Sequence, residues 1–290
     1  MLPALLGPAL LALSVSAAPA LPQMPPLDAH ARVLVVAPHP DDESLCCAGL
    51  LQQAQREGAS VAIVWITAGD SFELDAMVVE RTVWPGGQTM RRLGAQRLAE
   101  AHAAADALGV PRAAQFQLGY PDRGVLALCG DYYARPYHSK YTDVSAVPYA
   151  AALSPGASYT GANLERDLAQ VIAQFQPTLV LAAAPQDRHP DHSASGALVR
   201  RVLARRGELG ELRYWIVHAP NWPRPLGLEP DLPLAPPASA AALAWQSLPL
   251  SEPQRRRKLA AVHAHRSQMQ LLSPFMNAFV RANEIFAAAP

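Results

Sequence analysis

Apolar and polar positions come in alternating blocks along the chain. RVLVVA (32–37) is an unbroken apolar, β-branched run of the kind that fills a parallel strand buried on both faces. ESLCCAGLLQQAQREG (43–58) follows with helical periodicity and a closing glycine, and SVAIVWIT (60–67) is a second strand. GQTMRRLGAQRLAEAHAAADAL (87–108) predicts a long helix ending at Gly109, and AQFQLGY (114–120) a third strand. GANLERDLAQVIAQFQP (161–177) predicts a helix stopped before Pro177; TLVLAAAP (178–185) returns to strand. HSASGALVRRVLARRG (192–207) is helical, LRYWIVHA (212–219) is the last clear strand, and EPQRRRKLAAVHAHRSQMQLL (252–272) predicts a closing helix.

Strands separated by helices predict an α/β fold, a Rossmann-like, doubly wound and mainly parallel sheet with helices on both faces. Residues 32–290 read as a single domain with two long connections, about 121–160, aromatic and polar, and about 220–250, rich in Pro and Ala. Ahead of it, residues 1–20 join an apolar run to small residues, which reads as a secretory signal, and 21–31 as a linker. Export to the periplasm or medium is the expectation, with an N-terminal anchor facing outward as its competitor. Pro3 and Pro8 interrupt the run, so no stable membrane span is expected once it is removed.

The chain is half apolar, and its 24 basic and 24 acidic residues cancel. No net field would recruit nucleic acid or anionic lipid. RRRK (255–258) reads as a solvated helix face. Cys46, Cys47 and Cys129 are too few for a disulfide framework; Cys46 and Cys47 are expected to pack as small apolar thiols.

Chemistry concentrates where two buried strands end. PHPDDE (38–43) follows the first strand and QDRHPDH (186–192) follows the fourth. In a doubly wound sheet ligands bind at the C-terminal strand edge. His39, Asp41, Asp42, Asp187, His189, Asp191 and His192 are therefore expected on one rim. Capping of the helix near Glu43 explains one aspartate, not three histidines and four acids. Imidazoles plus one carboxylate suit Zn²⁺ with a position left open for water, whose pKa falls from ~15.7 toward ~7 on binding. One of the paired aspartates would face the metal and the other the water; spacing alone does not say which.

PHPDDE together with HPDH resembles the PIG-L/LmbE family of zinc-dependent N-deacetylases, which act on N-acetylglucosaminyl conjugates. Pro38 stands where that family usually has alanine. The likeness runs from about 32 to 272 and takes in TAGD (67–70), RLAEAHAAADALGV (97–110), GYPDRG (119–124) and KLAAVHAHRSQ (258–268). It implies an LmbE-like fold with His39, Asp42 and His192 as ligands of Zn²⁺ (Fe²⁺ or Co²⁺ would suit the same set) and Asp41 as general base. It makes His189, in protonated form, the group that holds the oxyanion or protonates the leaving amine, with Asp191 tuning or orienting it. Asp122 and Arg97 become substrate contacts. His265 reads as a structural histidine.

The resulting expectation is a metal-dependent hydrolase removing acetyl from an N-acetylated amino sugar, a small-molecule or glycan substrate. A zinc amidase on a non-sugar N-acyl substrate and a non-catalytic carbohydrate-binding relative are the alternatives. The loop 130–149, with Tyr132, Tyr133, Tyr137, Tyr141 and Tyr149, is expected to wall the substrate pocket.

Overall fold

The computed structural model describes residues 21–209 and 212–289. The expected signal, 1–20, lies outside them. Among the described residues no helix is long and apolar enough to cross a membrane.

Seven strands form one sheet: β1 (Arg32–Ala37), β2 (Ser60–Thr67), β3 (Gln115–Tyr120), β4 (Leu179–Ala183), β5 (Leu212–Trp215), β6 (Trp245–Pro249) and β7 (Asn283–Ala288). Their order is β3-β2-β1-β4-β5-β7-β6. The first five run parallel, and β7 and β6 close one side antiparallel. β1 and β4, at the middle of the parallel part, are apolar and almost wholly buried, as strands covered by helices on both faces are. These helices are α1 (Asp42–Arg56), α2 (Glu73–Val79), α3 (Gln88–Ala107), α4 (Val125–Cys129), α5 (Gly161–Phe175), α6 (Pro190–Arg206), α7 (Glu252–Ala264) and α8 (Arg266–Asn277).

Chain order reverses between β1 and β4: β2 and β3 lie on one side, β5 on the other. That is the switch point, where the loops leaving two adjacent strands splay apart and open a crevice. Gly196 lets α6 approach this point closely, since a Cβ there would lie 2.1 Å from the Ala183 carbonyl oxygen. The small residue thus sets how near α6, and the histidine in its first turn, comes to β4.

Several expectations are corrected. The closing helix breaks at His265, because the Ser267 amide donates to the Glu100 carboxylate (3.1 Å) and a new helix starts there. RRRK is not wholly solvated: Lys258 falls on the inward face of α7 with Ala261 and Val262 and pairs with Glu284 (2.7 Å). Cys46 and Cys47 are buried as expected but joined as a disulfide. Residues 22–24 run along edge strand β6 through backbone hydrogen bonds with Ser247, while Leu21, Met24 and Leu27 pack on the core.

Candidate active site

Every parallel strand delivers a side chain to one crevice. β1 leads into His39, Asp41 and Asp42; β2 into Ser71 and Phe72; β3 into Asp122 and Arg123. β4 leads into Asp187, His189 and His192, and β5 into Val217 and His218. With Leu45, Arg97, Gln268, Leu272, Phe275 and Met276, most of these line a cavity of about 210 Å³.

At its floor three donor atoms form a small triangle. His39 Nδ1 lies 3.0 Å from His192 Nε2 and 3.5 Å from Asp42 Oδ2, and His192 Nε2 lies 3.3 Å from Asp42 Oδ2. Donors at about 2.0–2.1 Å around a tetrahedral zinc are separated by about 3.3 Å, so the triangle has the size of one face of such a shell. The two loops, 150 residues apart in sequence, thus meet at the scale a metal requires.

Each imidazole is turned by a carboxylate on its other nitrogen. Asp187 Oδ2 lies 3.1 Å from His192 Nδ1 and also accepts the amides of Val217 (2.9 Å) and His218 (3.0 Å). Asp122 Oδ1 lies 3.2 Å from His39 Nε2, and its other oxygen accepts the Ser71 amide (3.1 Å). Such partners fix ring orientation and make the ligand more basic. Asp122 therefore both lines the cavity and faces His39.

The charges state the same need. Burial disfavours the charged ring at His192, but Asp42 and Asp187 outweigh it and push the pKa up to about 10. At His39 burial is likewise overcome, by Asp122 with Asp191 and Asp42. Burial raises Asp42, yet His192 and His39 hold it well below the usual carboxylate range. So much buried negative charge demands a cation between the rings, which a divalent metal would supply in place of two protons. The residues present fit the ion that the motif pair implies.

Asp41 stands beside the triangle as the N-terminal flank of α1. Its side chain does not cap that helix, and its backbone takes φ +154°, a conformation rare for an L-residue. Two partners hold it there. Arg97 Nη2 lies 3.0 Å from Asp41 Oδ2, and the Asp41 amide donates to Glu43 Oε2 (3.1 Å). Glu43 is itself fixed by the Trp65 indole (2.8 Å) and by His265 Nε2 (3.0 Å), which gives His265 its structural role. Arg97 also donates to the carbonyls of Gly69 (2.7 Å) and Pro40 (3.2 Å), so its guanidinium is largely committed to the protein. Gly69 makes room for it: a Cβ there would sit 2.2 Å from Nη1. The substrate arginine of the sequence reading is first an aspartate holder.

His189 caps α6 and accepts the Asp191 backbone N–H on Nδ1 (3.3 Å), which leaves Nε2 as its N–H donor. Burial and the neighbouring rings of His39, His192 and His218 push its pKa down to about 3. Both influences favour the neutral ring, in which Nε2 is the donor. Asp191 orients it through the backbone; its carboxylate instead accepts the amides of Arg123 (2.5 Å) and Val125 (3.1 Å) and lies 3.6 Å behind His39.

Sequence reasoning missed His218, which lines the cavity with its ring 4.8 Å from His192 and stacked on Phe275. Its only signal was a histidine at the end of an apolar strand. The tyrosine loop is a further correction, since none of its residues lines the cavity. Its tyrosines are used in packing: Tyr149 donates to Asp70 (2.5 Å), Tyr133 to Glu165 (3.2 Å), and Tyr132 packs edge-on to Tyr137. Tyr141 accepts from Arg123 (3.2 Å).

Fold and donor set define an α/β protein with a candidate His₂Asp metal site at the sheet's switch point. Residues 34–203 match the PIG-L family, GlcNAc-PI de-N-acetylase, and the chain belongs to that family. It is 28% identical over 186 residues, 62% of this chain, to a 1D-myo-inositol 2-acetamido-2-deoxy-alpha-D-glucopyranoside deacetylase of Corynebacterium jeikeium. That stretch spans only 52% of the relative, so the chain matches about half its length. An enzyme of the same name from Actinosynnema mirum is 26% identical over 84% of this chain and 82% of its own. Among solved structures, the A40926 pseudoaglycone deacetylase Dbv21 superposes with TM-score 0.56 at 20% identity, covering 89% of this chain and 97% of that one. The N,N'-diacetylchitobiose deacetylase of Pyrococcus horikoshii gives 0.53 at 19%, over 89% and 83%. These two likenesses show the LmbE-like fold.

Proposed function

We propose that this protein is a metal-dependent hydrolase that removes the acetyl group from an N-acetylated amino sugar. The observation that carries the reading is the triangle of His39 Nδ1, Asp42 Oδ2 and His192 Nε2, with sides of 3.0 to 3.5 Å, and Asp41 beside it in a cavity. Family membership and the names of the relatives support the amino-sugar substrate.

His39, Asp42 and His192 would hold the ion. When bound, Zn²⁺ would supply Lewis acidity toward the amide carbonyl and lower the pKa of water. Asp41 takes the proton of the attacking water on its carboxylate, where Arg97 and the Glu43 contact keep it aimed. The Nε2–H of His189 donates to the carbonyl oxygen as negative charge develops there. Asp41 then returns its proton to the departing nitrogen. The amide C–N bond breaks, and a free amine leaves with acetic acid, which gives its proton to solvent and departs as acetate. A neutral donor serves here because the oxyanion needs a hydrogen bond, not a proton.

Free-amine release over N-acetylated sugars, with and without a chelator, tests the reading. Chelator-sensitive release from an N-acetylglucosaminide is expected. Release only from acyl-peptides would favour the zinc amidase instead.

A further inference from the structure

The cavity has two chemically distinct sides. The catalytic floor is polar, and its groups are occupied with one another. The lining also has an apolar part: Leu45, Phe72, Val217, Leu272, Phe275 and Met276. Three of these lie on α8, and polar contacts tie that helix to its neighbours. Ser267 donates to Glu100 (2.7 Å), and Gln268 gives its amide N–H to buried Asp75 of α2. Two polar residues of the lining are engaged elsewhere: Gln268 gives its amide to Asp75, and Arg123 donates to the Tyr141 hydroxyl.

The apolar character continues outward. Leu271, next to Leu272, is 39% exposed, and on the adjoining α2 Leu74 and Val78 are 61% and 44% exposed. An inositol aglycone, as in the relatives' named substrate, presents a ring of hydroxyls that loses water on entry and needs partners in return. This wall provides few. An alkyl or aryl group would instead gain by leaving water there.

We infer that the substrate of this protein carries an apolar substituent that lies against Leu272, Phe275 and Met276, and that α8 selects for it. The inference rests on the amino-sugar hydrolase reading and narrows its substrate class. The substituent is an alkyl or aryl aglycone, which keeps acetyl as the group removed, or a longer N-acyl chain, which keeps the amino-sugar amide but revises the acyl group; the apolar side chains suit both.

The test is kcat/KM of the metal-loaded protein for four compounds below their micelle concentrations. They are N-acetylglucosamine, its inositol glycoside, its octyl glycoside and N-octanoylglucosamine. The octyl glycoside or the N-octanoyl sugar should exceed the first two by about tenfold or more, and whichever does identifies the end of the sugar that meets α8. Leu272→Asn and Phe275→Ser should each bring that ratio toward one. An inositol glycoside preferred over both octyl compounds overturns the inference and leaves the hydrolase reading standing. Amine release from none of the four overturns both.

Discussion

Arg97 and Asp41 form an ion pair at the cavity floor, Nη2 to Oδ2 at 3.0 Å, with side-chain exposures of 5% and 14%. The pair fits the role proposed for Asp41, a base held at a strained backbone position. Burial pushes the Asp41 pKa up to about 6, and Arg97 resists that rise by favouring the carboxylate. A base with a pKa just below neutrality is ionised at working pH yet still takes a proton.

Arg97→Met should therefore move the acid limb of the kcat/KM profile to higher pH. In the proposed mechanism Asp41 acts as a carboxylate, so activity should fall as pH drops through its pKa. Removing the cation that favours the carboxylate raises that pKa, by about one unit for an opposite charge this close. A pH profile with the limb unmoved would show that Arg97 does not act through Asp41.

Asp41→Asn should lower kcat by about 10²- to 10⁴-fold while the protein keeps its metal, as metal analysis of the purified variant would record. The amide keeps the shape and removes only the basicity. Metal lost along with rate would mean that the two neighbouring aspartates have exchanged roles.

Asp187→Asn should weaken metal binding by about 10- to 100-fold, measured by competition with a chromophoric chelator. The Asn oxygen still accepts the Val217 and His218 amides, but the charge behind His192 Nδ1 is gone. Asp122→Asn should do the same through His39. Unchanged affinity in both would assign these carboxylates to another task.

Lys258→Met should destabilise the fold by about 3 kcal/mol in urea unfolding. Lys258 bridges the Leu45 carbonyl of α1 and Glu284 of β7, both at 2.7 Å, and its removal leaves a buried carboxylate without its counter-charge. Glu284 also accepts the amides of Gly49 (2.7 Å) and Leu50 (2.9 Å), so the loss reaches the helix that carries Asp42. A change within a few tenths would show that those amides alone satisfy it.

The parallel half of this fold was legible because β1, β2 and β4 are continuous apolar runs between helices of clear periodicity. The antiparallel half was not. NEIFAA (β7) buries a glutamate that pairs with Lys258 from α7, and that partnership leaves no local trace. The convergence of the two motifs on one rim was legible from their place after two strands, and the choice of His39, Asp42 and His192 within them came from the family resemblance; which strands adjoin at the switch point was not legible. Carboxylates were the harder part. Asp191 could be placed on the rim and Asp122 near the substrate through the resemblance, but which ring or amide each faces depends on loops that only the folded chain brings together. For the same reason five tyrosines in one loop resembled a sugar platform, although their hydroxyls and rings bind the loop to its own supports.

The central claim is that His39, Asp42 and His192 hold one divalent ion on which hydrolysis depends. The most direct test is metal content and acetate release measured on the same samples: the wild-type protein, the chelated protein, the chelated protein resupplied with Zn²⁺, Fe²⁺ or Co²⁺, and His192→Ala. Wild type should hold about one equivalent and release acetate from an N-acetylated glucosaminide. Chelation should abolish both, resupply should restore both, and His192→Ala should show neither. A metal-free sample that hydrolyses at the full rate would contradict the account.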